Sequence, residues 1–259
     1  MMGRFHTNTV LVTGGSGSYG QAAGLAFAKE GATVVLVGRS IAPLQQAVRT
    51  IGEAAAKAGH GGRVDYICAD VTQERDTSRM VTETVARHGS LDIAFNSAGI
   101  VGAHATVADL DPATWQAVLD VNVTGTFLSM KHQIAYMRGH GGGVIVNTAS
   151  NIGTHRRPPG LAAYAASKAA VDALTRTAAR EHIADGVRIN LISPGPSDTP
   201  MSYRPGETTR DRDTRARLNI PAGRVSEPRE VAAAVLWLAS AEANYIVGHD
   251  LVIDGGSTA

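Results

Sequence analysis

The sequence predicts an α/β fold: a single domain built as a doubly wound, seven-stranded parallel sheet with helices on both faces. Three observations predict it. Short apolar runs alternate with helix-length segments along all 259 residues. The runs are continuous in Val, Ile and Leu rather than alternating with polar residues, as expected of strands covered on both sides. No linker, internal repeat or low-complexity tract breaks the rhythm, so each strand–helix–strand unit is expected to cross over right-handed.

The elements follow in order. A strand at 10–12 (VLV) enters a glycine cluster, and a helix from 19 to 30 stops at Gly31. A strand at 33–37 (TVVLV) precedes a helix at 40–58, ended by Gly59 and the Gly61-Gly62 pair. A strand at 64–68 is followed by a helix at 73–88 ending at Gly89. The fourth strand is placed at 91–95. One long helix is expected at 112–137, opened by Asp111 before Pro112. The fifth strand, 143–148, precedes a second long helix at 161–184, stopped by Gly186. The sixth strand is 187–192, a helix covers 227–239 and the last strand is 250–253. One segment departs from the rhythm. Residues 197–219 are polar and rich in Arg, Thr, Asp and Pro. An insertion of this kind is usually a lid over a site; the other reading is a solvated surface loop.

Composition excludes several classes. Hydrophobic residues make up 44% and charged residues 18%, which excludes a mainly disordered chain. Lys and Arg total 24 against 23 Asp and Glu, so the basic excess of a nucleic-acid binder is missing. The one cysteine, Cys68, excludes an intramolecular disulfide and a cysteine-built zinc site, and fits a reducing, cytoplasmic compartment. No apolar run is long enough for a membrane-spanning helix, and the first residues carry no signal-peptide pattern. The histidines show no H-x-x-x-H or similar ligand spacing, so no metal is expected.

The segment from Val10 to Gly20 reads strand, glycine-rich turn, helix start, which is the context a dinucleotide pyrophosphate requires. Glycines let the backbone turn sharply and come close to the phosphates, and the first amides of the helix stabilise their charge. The second strand ends in Val37-Gly38-Arg39-Ser40. An acidic residue there would bind a ribose 2′-hydroxyl, as in NAD sites, whereas an Arg accommodates a 2′-phosphate. Arg39 therefore favours NADP, with NAD kept as the alternative; a solvated arginine near the next helix start is the plain reading. Tyr164 and Lys168 stand four apart and share one face of a helix. A free phenol has a pKa near 10, and a neighbouring ammonium brings it toward a useful range. Such a pair alone would most often be a surface contact.

Together these residues resemble the short-chain dehydrogenase/reductase family, in its branch of about 250 residues, over nearly the whole chain. Thr13-Gly14 through Gly20 resembles the T-G-x-x-x-G-x-G turn, Asp70-Val71 the adenine-contacting pair, and Asn96-Ser97-Ala98-Gly99 the N-N-A-G motif. Asn122, Ser150, Tyr164 and Lys168 fall on the catalytic tetrad. Ser193-Pro194-Gly195 with Thr199 resembles the nicotinamide-side P-G-x-x-x-T, and Val247-Gly248 through Asp254-Gly255-Gly256 the C-terminal V-D-G-G strand. The cofactor contacts this implies are Gly14, Ser16, Gly17, Ser18, Tyr19, Gly20, Arg39, Ser40, Asp70, Val71, Asn96, Ala98, Gly99, Tyr164, Lys168, Pro194, Gly195, Ser197 and Thr199. Three departures stand out. Ser18 takes the place of the turn's second glycine, with Gly17 just before it, and its Cβ is expected to crowd the pyrophosphate unless Gly17 takes over the role. Ser97 replaces the second asparagine of N-N-A-G, at the expected loss of a bond tying neighbouring strands. Ser150 and Tyr164 are one residue further apart than usual, and the extra residue is placed in the loop 154–160.

The resemblance implies a Rossmann-type fold and hydride exchange between NADP(H) and a carbonyl or secondary alcohol of a small or medium organic substrate, most naturally as a ketoreductase. In it Tyr164 gives or takes the proton, and Lys168 holds the nicotinamide ribose and lowers the phenol pKa. Ser150 polarises the substrate oxygen, and Asn122 holds a relay water. It also implies a homotetramer, packed through a four-helix interface of the helices at 112–137 and 161–184; the alternative is that these helices only cover the sheet. Substrate contacts are expected from loops 98–110, 151–160 and 197–219. His155, Arg156, Arg157 and the arginines at 204, 210, 212, 215 and 217 could meet an anion. Glu207, Asp211 and Asp213 are interspersed, however, so mutually paired, solvated charge is preferred and no acidic substrate is predicted. Two other readings stay open: an NAD-dependent alcohol or sugar dehydrogenase, and a non-catalytic nucleotide-sensing regulator, which should show a damaged tetrad.

Overall fold

Strands buried on both faces must send alternate side chains into two separate cores. The computed structural model, which describes residues 3–204 and 206–259, shows this directly. The strands are β1 (Thr9–Thr13), β2 (Thr33–Gly38), β3 (Arg63–Cys68), β4 (Ile93–Asn96), β5 (Gly143–Thr148), β6 (Val187–Pro194) and β7 (Asp250–Ile253). They form one parallel sheet in the order β3-β2-β1-β4-β5-β6-β7. The helices are α1 (Ser18–Lys29), α2 (Ile41–Ala56), α3 (Glu74–His88), α4 (Pro112–Leu119), α5 (Gly125–Met137), α6 (Ala162–His182), α7 (Thr209–Asn219) and α8 (Pro228–Ala239). Val10, Val12, Val34 and Leu36 point into one core, with Phe27 of α1, Ile51 of α2 and Val235 of α8. Leu11, Val35 and Val37 point into the other, with Met80 of α3, Ile134 of α5 and Ala178 of α6. Burying one such side chain contributes roughly 1.5–3 kcal/mol, so the two cores fix strand register as well as layer order.

After β3 the chain returns to the opposite side of β1. The strand order therefore reverses between β1 and β4, and a crevice opens there above the carboxyl ends of the strands. The expected fold class, a doubly wound seven-stranded parallel sheet, is the observed one.

Several expectations change. The segment 112–137 is not one helix: a π turn at Asp120–Thr124 separates α4 from α5. The widened turn sets Asn122 against the backbone of Ile100, whose N–H donates to Asn122 Oδ1 at 2.8 Å while Asn122 Nδ2 donates to its carbonyl at 2.9 Å. The polar segment 197–219 is not a loop throughout. It contains a 3-10 turn at Pro200–Ser202 and then α7, opened by a capping box of Thr208 and Asp211. Ser97 does not lose the strand tie, since its Oγ donates to the Thr13 carbonyl at 3.0 Å, joining the ends of β4 and β1. Ser18 simply begins α1, and among the described residues no non-glycine has a positive φ. The backbone there does not call for glycine.

Candidate active site

The turn after β1 is shaped by contacts that only hydrogen permits. Gly14 has φ +66°, and a Cβ on it would lie 2.9 Å from the Ala98 backbone nitrogen. A Cβ on Gly20 would lie 2.3 Å from the Gly14 carbonyl oxygen. The turn is thereby pressed against the end of β4 and the first coil of α1. Among the described residues no side chain caps the α1 N-terminus, so its first amides are left for an outside acceptor. They border a single cavity of about 1110 Å³ that crosses the point where the strand order reverses.

On the β2–β3 side Arg39, Asp70 and Val71 line the cavity; on the β4–β6 side Ala98, Gly99, Ser150, Tyr164, Lys168, Pro194 and Gly195 do. The cavity is large enough for a dinucleotide with a small organic molecule. Its glycine cradle, uncapped amides and flanking Arg39 fit that group. Arg39 is exposed, and among the described residues no carboxylate pairs with it. Asp70 Oδ1 is held by the Thr72 N–H and hydroxyl at 3.0 and 2.9 Å.

The reactive end is built by β5 and α6. Ser150 follows β5, and its Oγ accepts the Ile152 N–H at 3.1 Å. Tyr164 and Lys168 lie one turn apart on α6, as their spacing predicts, and Lys168 Nζ is 5.7 Å from the Tyr164 ring centre. Nζ is buried and donates to the Thr148 carbonyl at 2.8 Å. Burial lowers the ammonium from its ordinary value to about 8. Burial also dominates at Tyr164 and raises its phenol, while the neighbouring Ser150 hydroxyl pulls the other way. The expected depression of the phenol by Lys168 is thus not what governs this arrangement; enclosure outweighs it.

Two implied contacts lie elsewhere. Asn96 faces away from the cavity into a buried amide network, donating to Gln133 Oε1 and Asn147 Oδ1, both at 2.9 Å. Ser40 sits exposed at the start of α2, off the cavity wall. Asn122 stands behind Gly99, where a Cβ would lie 3.2 Å from Asn122 Oδ1 and 3.4 Å from Lys168 Nζ. Both its amide hydrogens are used, on Ile100 and Ser167, so any water it holds must donate to one of its oxygens. All the other implied cofactor contacts line the cavity.

Sequence reading missed the bond between Tyr19 and Ser197. The phenol donates to Ser197 Oγ at 2.7 Å, and burial pushes it up to about 12. The bond fastens the start of α1 to the segment after β6. Both residues belong to matched motifs, but nothing in their spacing signals that they pair. Of the five arginines of the 197–219 segment two form ion pairs, the buried Arg212 with Asp198 and Asp213 and Arg215 with Glu207, so the preferred reading of paired, solvated charge holds only in part.

A family model described as enoyl-(acyl carrier protein) reductase matches residues 15–258. Cis-4-hydroxycyclohexanecarboxylate dehydrogenase of Sinomonas cyclohexanicum is 36% identical over 255 residues, 98% of each chain. 2,5-Dichloro-2,5-cyclohexadiene-1,4-diol dehydrogenase of Sphingobium indicum is 38% identical over 252 residues, 97% of each. The crystal structure of levodione reductase superposes with a TM-score of 0.90 at 34% identity, over 98% of this chain and 99% of that one.

Proposed function

The chain belongs to the short-chain dehydrogenase/reductase family, an NAD(P)-dependent oxidoreductase acting on CH–OH and C=O groups, and on that premise we propose that it is an NADP(H)-dependent ketoreductase for small or medium organic carbonyls. The observation that carries the reading is the enclosure of Tyr164 beside Ser150 and Lys168 in the same cavity as the glycine turn. The names of the two curated relatives place hydroxyl groups on six-membered rings, and cyclic ketones and alcohols are the first class to test.

Bound nicotinamide would supply the hydride for the carbonyl carbon, or take it from the alcohol. Gly14, Gly17, Tyr19 and Gly20 would hold the pyrophosphate at the α1 amides, and Arg39 the 2′-phosphate. Asp70 and Val71 would border the adenine, and Pro194, Gly195 and Thr199 the nicotinamide. Tyr164, whose raised pKa keeps its proton at neutral pH, would donate it to the substrate oxygen as charge develops there. Ser150 Oγ would donate a second hydrogen bond to that oxygen. Lys168, a buried cation that releases its proton near pH 8, would hold the ribose hydroxyls and resupply the phenol. The segment 197–219 would act as the lid over the substrate end. The intact tetrad argues against the regulator reading.

The test is oxidation of NADPH and NADH over a panel of cyclic and open-chain ketones. Wild type is expected to prefer NADPH, Arg39→Asp to reverse that preference by at least about tenfold in kcat/KM, and Tyr164→Phe to lose at least about a hundredfold while still binding nucleotide. An unchanged preference in Arg39→Asp removes the 2′-phosphate role. Near-normal turnover in Tyr164→Phe removes the proton donor. We also propose that the chain assembles as a homotetramer.

A further inference from the structure

We infer that Arg156 selects substrates carrying a carboxylate, so that the natural substrate is an oxo acid or hydroxy acid with an apolar carbon skeleton; this rests on the ketoreductase reading above. The loop between β5 and α6 carries Arg156. Each neighbour of Arg156 is committed elsewhere. His155 Nε2 is bound to Asp250 Oδ2 of β7 at 2.6 Å. Arg157 Nη2 donates to the Thr154 carbonyl at 3.1 Å. Gly153, at φ +129°, is pressed against α6 so closely that a Cβ would meet the Ala169 nitrogen at 2.9 Å.

The loop is therefore fastened to α6 and to β7, and Arg156, which is exposed, is one of the residues lining the cavity. Its backbone is tied close to the reactive end. Gly153 N donates to the Arg156 carbonyl at 2.8 Å, and Ile152 forms a bridge with Arg156 while its own N–H donates to Ser150 Oγ. Two hydrogen bonds thus connect this arginine's backbone with the serine beside Tyr164.

Charge points the same way. Asp70, at the nucleotide end, is the one carboxylate among the described residues lining the cavity. Of the substrate-side arginines, Arg215 is paired with Glu207 at 2.7 Å, and the Arg204 backbone N–H donates to the same carboxylate at 2.9 Å, which leaves the Arg204 guanidinium, like that of Arg156, without an ion pair among the described residues. Arg156 has no ion pair and no side-chain hydrogen bond among the described residues. Ile152, Leu161 and Met201 supply apolar wall to the same cavity. A substrate that sets its carbonyl at Tyr164 and its skeleton on these side chains can keep an anionic group at the wetter rim, where the guanidinium can bind it through two parallel hydrogen bonds.

The test uses matched pairs of oxo acids and their methyl esters, including 4-oxocyclohexanecarboxylate, with full-length protein and NADPH. Wild type is expected to favour the acids about tenfold or more in kcat/KM. Arg156→Gln should raise KM for the acids by about 10–100-fold, leave kcat within about threefold and leave the esters unaffected. Arg156→Lys should fall between the two. Added salt should weaken the acids selectively, because the arginine is exposed. Equal use of acid and ester by wild type, or equal loss on both in Arg156→Gln, overturns this inference and leaves the ketoreductase reading standing. No nucleotide oxidation with any ketone of the broader panel overturns that reading itself.

Discussion

At the scale of residues, the site depends on a lysine that folding holds away from its ordinary charge equilibrium. Lys168 sits near 8 because it is buried, and it donates a hydrogen bond to the Thr148 carbonyl. The sign of its pH effect follows. Below about pH 8 the ammonium is present and the phenol of Tyr164 keeps its proton, so carbonyl reduction should be fastest there. Above about 8 the cation is lost, and reduction should decline while alcohol oxidation, which needs a proton acceptor, gains. For stability, the unfolded chain binds this proton up to the ordinary lysine range and the folded chain does not. Between the two values stability from this group rises with pH, and below about 8 its burial penalty is present in full. Lys168→Met removes that penalty, about 3 kcal/mol for a shift of this size, and leaves the Thr148 carbonyl unpaired, at about 1–3 kcal/mol. The two nearly cancel. The variant should melt within about 5 °C of wild type while kcat/KM falls at least about a hundredfold; a collapse in Tm would mean that the lysine is structural. The Tyr164–Lys168 pair was legible in the sequence because helical spacing alone brings it together. The network of Asn96, Gln133 and Asn147 was not, because its members come from β4, α5 and β5 and meet only through tertiary packing.

At the scale of elements, the phosphate turn and α1 fit one another only at Gly20. A methyl group there would meet three backbone atoms, the Gly14 oxygen at 2.3 Å, the Gly15 Cα at 2.8 Å and the Gly14 carbonyl carbon at 2.9 Å, and none can rotate away. Gly20→Ala should therefore destabilise by about 1–3 kcal/mol and weaken nucleotide binding at least about tenfold by tilting the amides that receive the phosphates. Gly52, inside α2, has open space where a methyl group would go, with nothing within 4 Å, so Gly52→Ala should stabilise by about 0.5–1 kcal/mol and leave binding alone. Calorimetry with and without nucleotide checks both, and equal effects at the two glycines would show that the close approach does not matter. The strands and most helices were readable because hydrophobic period survives in the sequence. α7 was not. It has no apolar stripe, and it is held by its capping box and by the ion pairs of Arg212 and Arg215. The π turn was not readable either: Asp120-Val121-Asn122-Val123-Thr124 are weak helix formers, but nothing in that composition distinguishes a widened turn from an ordinary one, and the widening shows only in the contacts of Asn122.

At the scale of the whole molecule, that π turn has a consequence for assembly. Trp115 and Phe127 are twelve residues apart, which on an uninterrupted α-helix would turn them about 120° from one another. One extra residue taken up in a π turn reduces this to about 20°. Both rings are indeed exposed, Phe127 at 46%, and exposed alanines of α6, among them Ala166 and Ala173, offer small side chains to the same kind of contact. A second apolar group lies elsewhere: Trp237 on α8, with Tyr245, fully exposed, and Val247 just before β7, an edge strand of the sheet. Apolar rings left in water and a strand edge left unpaired both call for cover. Two distinct patches, each meeting its own copy across a twofold axis, generate a tetramer of dihedral symmetry rather than a dimer. The protein should therefore sediment at micromolar concentration as four copies of the 26.9 kDa chain. Phe127→Asp should leave a dimer joined through the α8–β7 patch, Tyr245→Asp with Val247→Asp should leave the other dimer, and the triple variant should be monomeric. A wild-type monomer defeats the assembly, and a Phe127→Asp protein that remains tetrameric shows that the α4–α5 face is not one of its two interfaces.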